Sequence, residues 1–85
     1  MTGLHEKSVS SKHGITYYWT NVIKSDIALV LLPGLTADHQ LFETQISCFE
    51  DEFKVLVWDC PCHGKSRPYD EFTYANVCNE LDSIL

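Results

Sequence analysis

The 85-residue sequence predicts an α/β domain built on a partly parallel sheet. Three observations carry that prediction. Two segments, 27–32 (IALVLL) and 54–59 (KVLVWD), are apolar without strict alternation, the pattern of strands covered on both faces. Between them Phe42, Ile46, Phe49 and Phe53 recur at helical spacing. Ahead of them, 7–20 carries hairpin chemistry. The expected order is a β-hairpin, then β-α-β-α, in one domain spanning 1–85.

Each element has its own reason. Lys7–Ser10 and Ile15–Thr20 read as the hairpin strands, the second (ITYYWT) rich in β-branched and aromatic residues. Ser11 to Gly14 supplies the turn. Asn21–Asp26 reads as a polar connection. The Ile27–Leu32 strand stops at Pro33-Gly34. Thr36 or Asp38 is suited to cap the first helix, which gives way to loop at Glu50-Asp51-Glu52. After the Lys54–Asp59 strand and a turn-rich stretch, Thr73 caps a second helix. Its apolar stripe is Tyr74, Val77, Cys78, Leu81, Ile84 and Leu85. Trp19 and Trp58, at strand positions, read as core. His5, His13 and His39 read as surface or turn histidines.

Composition narrows the function. Hydrophobic residues make up 45% and charged residues 21%, so a disordered chain is not expected. A net charge of −6 without a Lys/Arg cluster argues against nucleic acid or an anionic membrane as partner. The longest apolar run, 27–32, is far short of a membrane span. Met1–Lys7 has no apolar core, so no signal peptide is expected. A cytoplasmic location follows, with the four cysteines as reduced thiols.

The densest stretch is Val57–Pro68, VWDCPCHGKSRP. Metal binding is disfavoured there. Cys60 and Cys62 are one residue apart and point to opposite sides of an extended chain, while Cys48 and Cys78 fall within helices. All four read as buried or half-buried packing residues. A phosphate-binding loop would need Gly five residues before Gly64; Asp59 stands there, and Pro61 removes an N–H donor. A nucleophile elbow at Ser66 lacks its second Gly, replaced by Pro68, and lacks the immediate strand and helix. Ser66 reads as a turn serine bonded to backbone.

A fourth reading fits better. LVLLPGLTADHQLFETQI followed by FKVLVWDCPCHGKSRP resembles the N-terminal third of an α/β-hydrolase of the serine type. Asp59, Pro61, His63, Gly64 and Ser66 match the family's D-x-P-G-H-G-x-S-x-x-P pattern, with Cys62 in place of its first Gly and Pro68 one position ahead of its last Pro. The resemblance implies that these five residues and Pro68 form a structural turn closing the sheet's carboxyl edge. It also implies that the Leu32–Leu35 turn is the oxyanion loop, with the Leu35 N–H as donor. Pro33 stands where the family often has His. The nucleophile, acid and catalytic histidine of the family come later in its order, and none is present in these 85 residues. The resemblance therefore implies a parent enzyme that hydrolyses an ester, amide or related bond of a small-molecule substrate. The fragment is expected to stop before the nucleophile strand and to be inactive alone. No cofactor and no metal are expected. The alternative is a small binding or scaffold protein. In either case an open sheet edge is expected to promote self-association.

Overall fold

The computed structural model describes residues 4–33 and 37–85. Four strands form one mixed sheet in the order β1-β2-β4-β3. The strands are β1 (His5–Ser11), β2 (Gly14–Thr20), β3 (Ala28–Leu31) and β4 (Lys54–Trp58). β1 and β2 are antiparallel, β2 and β4 are antiparallel, and β3 runs parallel to β4. The expected α/β class and the parallel pair are therefore present.

The hairpin register pairs Ser11 with Gly14, leaving Lys12 and His13 as a two-residue turn. Gly14 is required by a close approach. A Cβ there would lie 2.7 Å from the Pro68 carbonyl oxygen. The chain at 68–70 is strapped against the hairpin at this point, through a Gly14–Tyr69 bridge and a 2.8 Å bond from Asp70 N to the His13 carbonyl.

β2 and β4 are the interior strands, and Val55 and Val57 of β4 are fully buried. Register aligns Trp19, Val57 and Leu31 on one face. On that face Ile46, fully buried, packs with Trp19, Val55 and Val57. Removing one such side chain from water contributes about 1.5–3 kcal/mol. Ile46 belongs to α1 (Glu43–Phe49), which a short 3₁₀ turn (His39–Phe42) precedes. The expected single stripe is thus broken. Phe42 ends the 3₁₀ turn, Phe53 falls outside the helix, and Phe49 is exposed. Asp38 caps the 3₁₀ turn, its Oδ1 accepting from Gln40 N at 2.9 Å. The other capping expectation, Thr36, lies outside the described residues.

β3 departs from expectation more sharply. It is four residues long and lies at the sheet edge, with β4 as its neighbour. Ile27, Val30 and Leu32 are exposed, not covered on both faces. Within the run, Leu29 and Leu31 are half-buried.

Asn21 also departs from a merely polar connection, since it is buried. Its Oδ1 accepts from Val55 N at 3.0 Å, and its Nδ2 donates to the Glu50 and Phe53 carbonyls, each at 2.8 Å. One amide thus ties the end of β2 to the entry of β4, filling three of its four hydrogen-bonding sites.

α2 (Tyr74–Ile84) is capped by Thr73, whose hydroxyl accepts from Asn76 N at 3.1 Å. It meets the hairpin through Glu80 and Ser11. Glu6 pairs with Trp19, so alternation puts Ser11, five residues on, on the face opposite Trp19. The two helices therefore attach to opposite faces. The expected apolar stripe of α2 is poorly covered. Val77, Leu81 and Ile84 are half-buried, whereas Tyr74 and Leu85 are exposed, and the buried residue is Glu80. Among the described residues no helix is long and apolar enough to cross a membrane.

Candidate functional site

Asp59 follows the last residue of β4 and is fully buried. Its backbone N–H donates to the Tyr17 carbonyl at 3.0 Å, extending the β2–β4 pairing by one step. Its carboxylate gathers three N–H groups. Oδ1 accepts from His39 N at 2.6 Å and from His39 Nδ1 at 2.8 Å, and Oδ2 accepts from Lys65 N at 2.8 Å. One side chain thus joins the end of β4, the start of the 3₁₀ turn and the 60–68 loop. Gly64 makes this possible: at φ 50° it takes a left-handed conformation, and any Cβ there would overlap the Asp59 carboxyl group.

His39 lies in the 3₁₀ turn, in keeping with the turn reading, but it is not a surface residue. Its side chain is 13% exposed, and the ring stacks on Trp19 with centroids 3.7 Å apart. A carboxylate accepts, so Nδ1 is the donor in the bond to Asp59 Oδ1. Among the described residues no hydrogen bond joins this ring to a Ser, Thr or Cys.

Ser66 is fully buried. Its Oγ donates to the Asp59 carbonyl at 2.6 Å and accepts from Tyr17 N at 2.9 Å. A hydroxyl committed to two backbone groups and sealed from solvent has no geometry for attacking a substrate. Its neighbour Lys65 reaches outward. The Lys65 Nζ donates to Glu6 Oε1 at 2.6 Å and lies 5.0 Å from the Tyr17 ring centroid. The Glu6 bond holds the Lys65 ammonium above its ordinary pKa.

The 60–63 segment is a tight turn, not an extended chain with thiols on opposite sides. His63 N donates to the Cys60 carbonyl at 2.8 Å, with Pro61 second and Cys62 third at φ 72°. Pro followed by a positive φ is the type II pattern, whose third position favours glycine. Cys62 holds that place. The turn is locked by Cys62 N to the Ser66 carbonyl at 2.9 Å and Ser66 N to the His63 carbonyl at 2.8 Å. The His63 Nδ1 donates to the Pro61 carbonyl at 3.0 Å. The Arg67–Pro68 peptide is cis. All four cysteines are free thiols, but Cys48 and Cys78 are exposed rather than packed. Burial, with a smaller contribution from Cys62, pushes the Cys60 thiol up. Among the described residues no three His, Cys, Asp or Glu side chains gather as a metal site.

Several clefts flank the turn. An apolar one of about 450 Å³ is lined by Cys60, Phe72, Thr73, Tyr74 and Val77. A more polar one of about 420 Å³ is lined by Ala37, Asp38, Cys62, His63, Gly64 and Arg67. The structure thus brings Asp59, Pro61, His63, Gly64, Ser66 and Pro68 into one turn. Leu35, the expected oxyanion donor, lies outside the described residues.

Sequence reasoning missed His39, Tyr17 and the Tyr69–Glu80 pair. Tyr69 and Glu80 are buried, and the phenol donates to Glu80 Oε2 at 2.7 Å. Burial, reinforced by that bond, pushes the Tyr69 phenol up to about 12. The signal available in sequence was Asp38-His39 at a helix start; nothing in the spacing links it to Asp59. No protein-family model, curated protein or solved structure matches this chain.

Proposed function

We propose that these 85 residues supply the N-terminal third of a serine-type α/β-hydrolase acting on an ester, amide or related bond of a small molecule. The observation that carries the reading is the Asp59 turn. The resemblance expects a structural turn that closes the carboxyl edge of the sheet, and here Asp59 and Ser66 spend their polar atoms on backbone and on His39. The parallel β3–β4 pair and the helices on opposite faces support it as well. In this reading Leu35 N–H donates to the oxyanion of the tetrahedral intermediate, and the residue after the nucleophile supplies the second N–H. Nucleophile, acid and catalytic histidine are not among the 85 residues, so the chain alone is inactive. A cytoplasmic setting belongs to the same reading.

Sequencing the transcript through codon 85 tests it. The expected result is an open frame that encodes a strand followed by G-x-S-x-G. A stop codon there, together with a folded monomer in sedimentation, sinks the proposal. A burst of product from an activated ester that disappears in Ser66→Ala would also overturn the inactive-fragment reading.

A second reading is a small binding or scaffold protein. The exposed edge at β3, with Ile27, Val30 and Leu32 uncovered, favours it. A defined oligomer that buries these three residues distinguishes it from the hydrolase fragment.

A further inference from the structure

Away from the Asp59 turn, α2, the hairpin turn and Tyr69 line an open pocket of about 220 Å³. We propose that this pocket binds a small protonated primary amine, with its ammonium seated on Glu80. Glu80 is 5% exposed, and it is the buried residue of α2. Both of its hydrogen-bond donors are neutral hydroxyls, Tyr69 OH at 2.7 Å and Ser11 Oγ at 2.6 Å, and both go to Oε2. Among the described residues Glu80 makes no ion pair. Its Oε1 takes no hydrogen bond there and is not sealed from solvent, and Glu80 lines the pocket. A carboxylate this buried is stabilised when a cation compensates it, and two neutral donors on one oxygen leave that compensation incomplete.

The rest of the lining selects the ligand. Asn76, Asn79 and Ser83 lie with Glu80 along one side of α2, spaced three, one and three residues apart, and all four line the pocket. Asn76 commits its Nδ2 to the Glu71 carbonyl at 2.7 Å, so its Oδ1 remains an acceptor. An ammonium brings three donors and no acceptor, matching a carboxylate surrounded by neutral oxygens. The His13 and Tyr69 rings, 5.7 Å apart, add aromatic surface at the same pocket. An anion is repelled by Glu80 and by Glu71, which lies 3.8 Å from His13. A divalent metal wants several anionic oxygens, and Glu80 is the one carboxylate in the lining. Lys12 also borders the pocket, but it sits on the two-residue turn and forms no ion pair with Glu80.

The test is a titration of ¹⁵N-labelled chain with propylammonium chloride, against 1-propanol and against sodium chloride at matched ionic strength. The expected result is saturable amide shifts at Ser11–Gly14, Tyr69 and Asn76–Ser83, with a Kd on the order of millimolar. 1-Propanol should bind at least about tenfold more weakly. Glu80→Gln should abolish saturation. Because that variant also touches the Tyr69 and Ser11 bonds, Asn79→Leu provides a second one. It fills the pocket from an exposed helix position and leaves those bonds intact. It should abolish saturation with an otherwise unchanged spectrum. Equal saturation by sodium chloride or 1-propanol, shifts scattered over the acidic surface, or undiminished binding in Asn79→Leu would each overturn the proposal.

Discussion

Replacing Asp59 with Asn tests the centre of the turn by changing two atoms. The carboxylate accepts three N–H bonds, two at Oδ1 and one at Oδ2. An amide has one acceptor oxygen and one donor group. With its oxygen toward His39, its NH₂ faces the Lys65 N–H; flipped, it faces both His39 donors. The better orientation still loses one bond to a charged acceptor, about 1.5–3 kcal/mol, and weakens the other two by removing the charge. Neutralisation also relieves the cost of burying a carboxylate, which acts in the opposite direction. That relief is partial, because the three short N–H contacts already take the place of water. The expected net loss is about 2–4 kcal/mol, a large share of a small domain's ~5–15 kcal/mol. Denaturant unfolding followed by tryptophan fluorescence reads it directly, since Trp19 stacks on the His39 ring that Asp59 orients. A loss below about 0.5 kcal/mol with an unchanged m-value would show that the carboxylate is not what holds the turn.

Other outcomes follow from the same contacts. Cys62→Gly should stabilise the chain by about 1 kcal/mol, because it relieves a left-handed Cys at φ 72° and gives up only a 3.3 Å thiol bond to the Tyr69 carbonyl; a lower denaturation midpoint would contradict this. The Tyr69 phenol ionises near 10 when unfolded and at about 12 when folded, so its stabilisation is complete below pH 10 and is lost as pH rises towards 12. Melts from pH 9 to 12 should show that decline, and Tyr69→Phe should remove this component of it. The open β3 edge should make the purified chain sediment above monomer mass, and Val30→Lys, placing a charge on an edge strand, should return it to monomer.

The class, the hairpin, the β3–β4 pair and the Thr73 cap were legible because each rests on signals within a few residues: periodicity, turn chemistry and a capping hydroxyl. What escaped is long-range. His39 reads as a surface or turn residue until Asp59, twenty positions later, returns beside it. Asn21 reads as linker until it meets three backbone groups near residues 50–55. Glu80 sits in a helix whose periodicity points to Leu81 and Ile84, yet a tyrosine and a serine from other segments draw the carboxylate inward. Polar burial depends on a partner's position, which no local pattern encodes.

One departure from the proposed hydrolase pattern coincides with the strained backbone. Cys62 stands where the pattern has Gly, and the surrounding bonds still hold that position at φ 72°. A left-handed conformation costs a residue with a Cβ roughly 1–2 kcal/mol, so the neighbours must impose it. They have the means: Pro61 fixes the second turn position, and Ser66 links to both Asp59 and Tyr17. The same commitment removes Ser66 and Asp59 from chemistry. The most reactive-looking stretch of the sequence thus has its serine and carboxylate engaged in folding, and the carboxylate with room for a ligand is Glu80, on the opposite face of the sheet from Trp19 and Ile46.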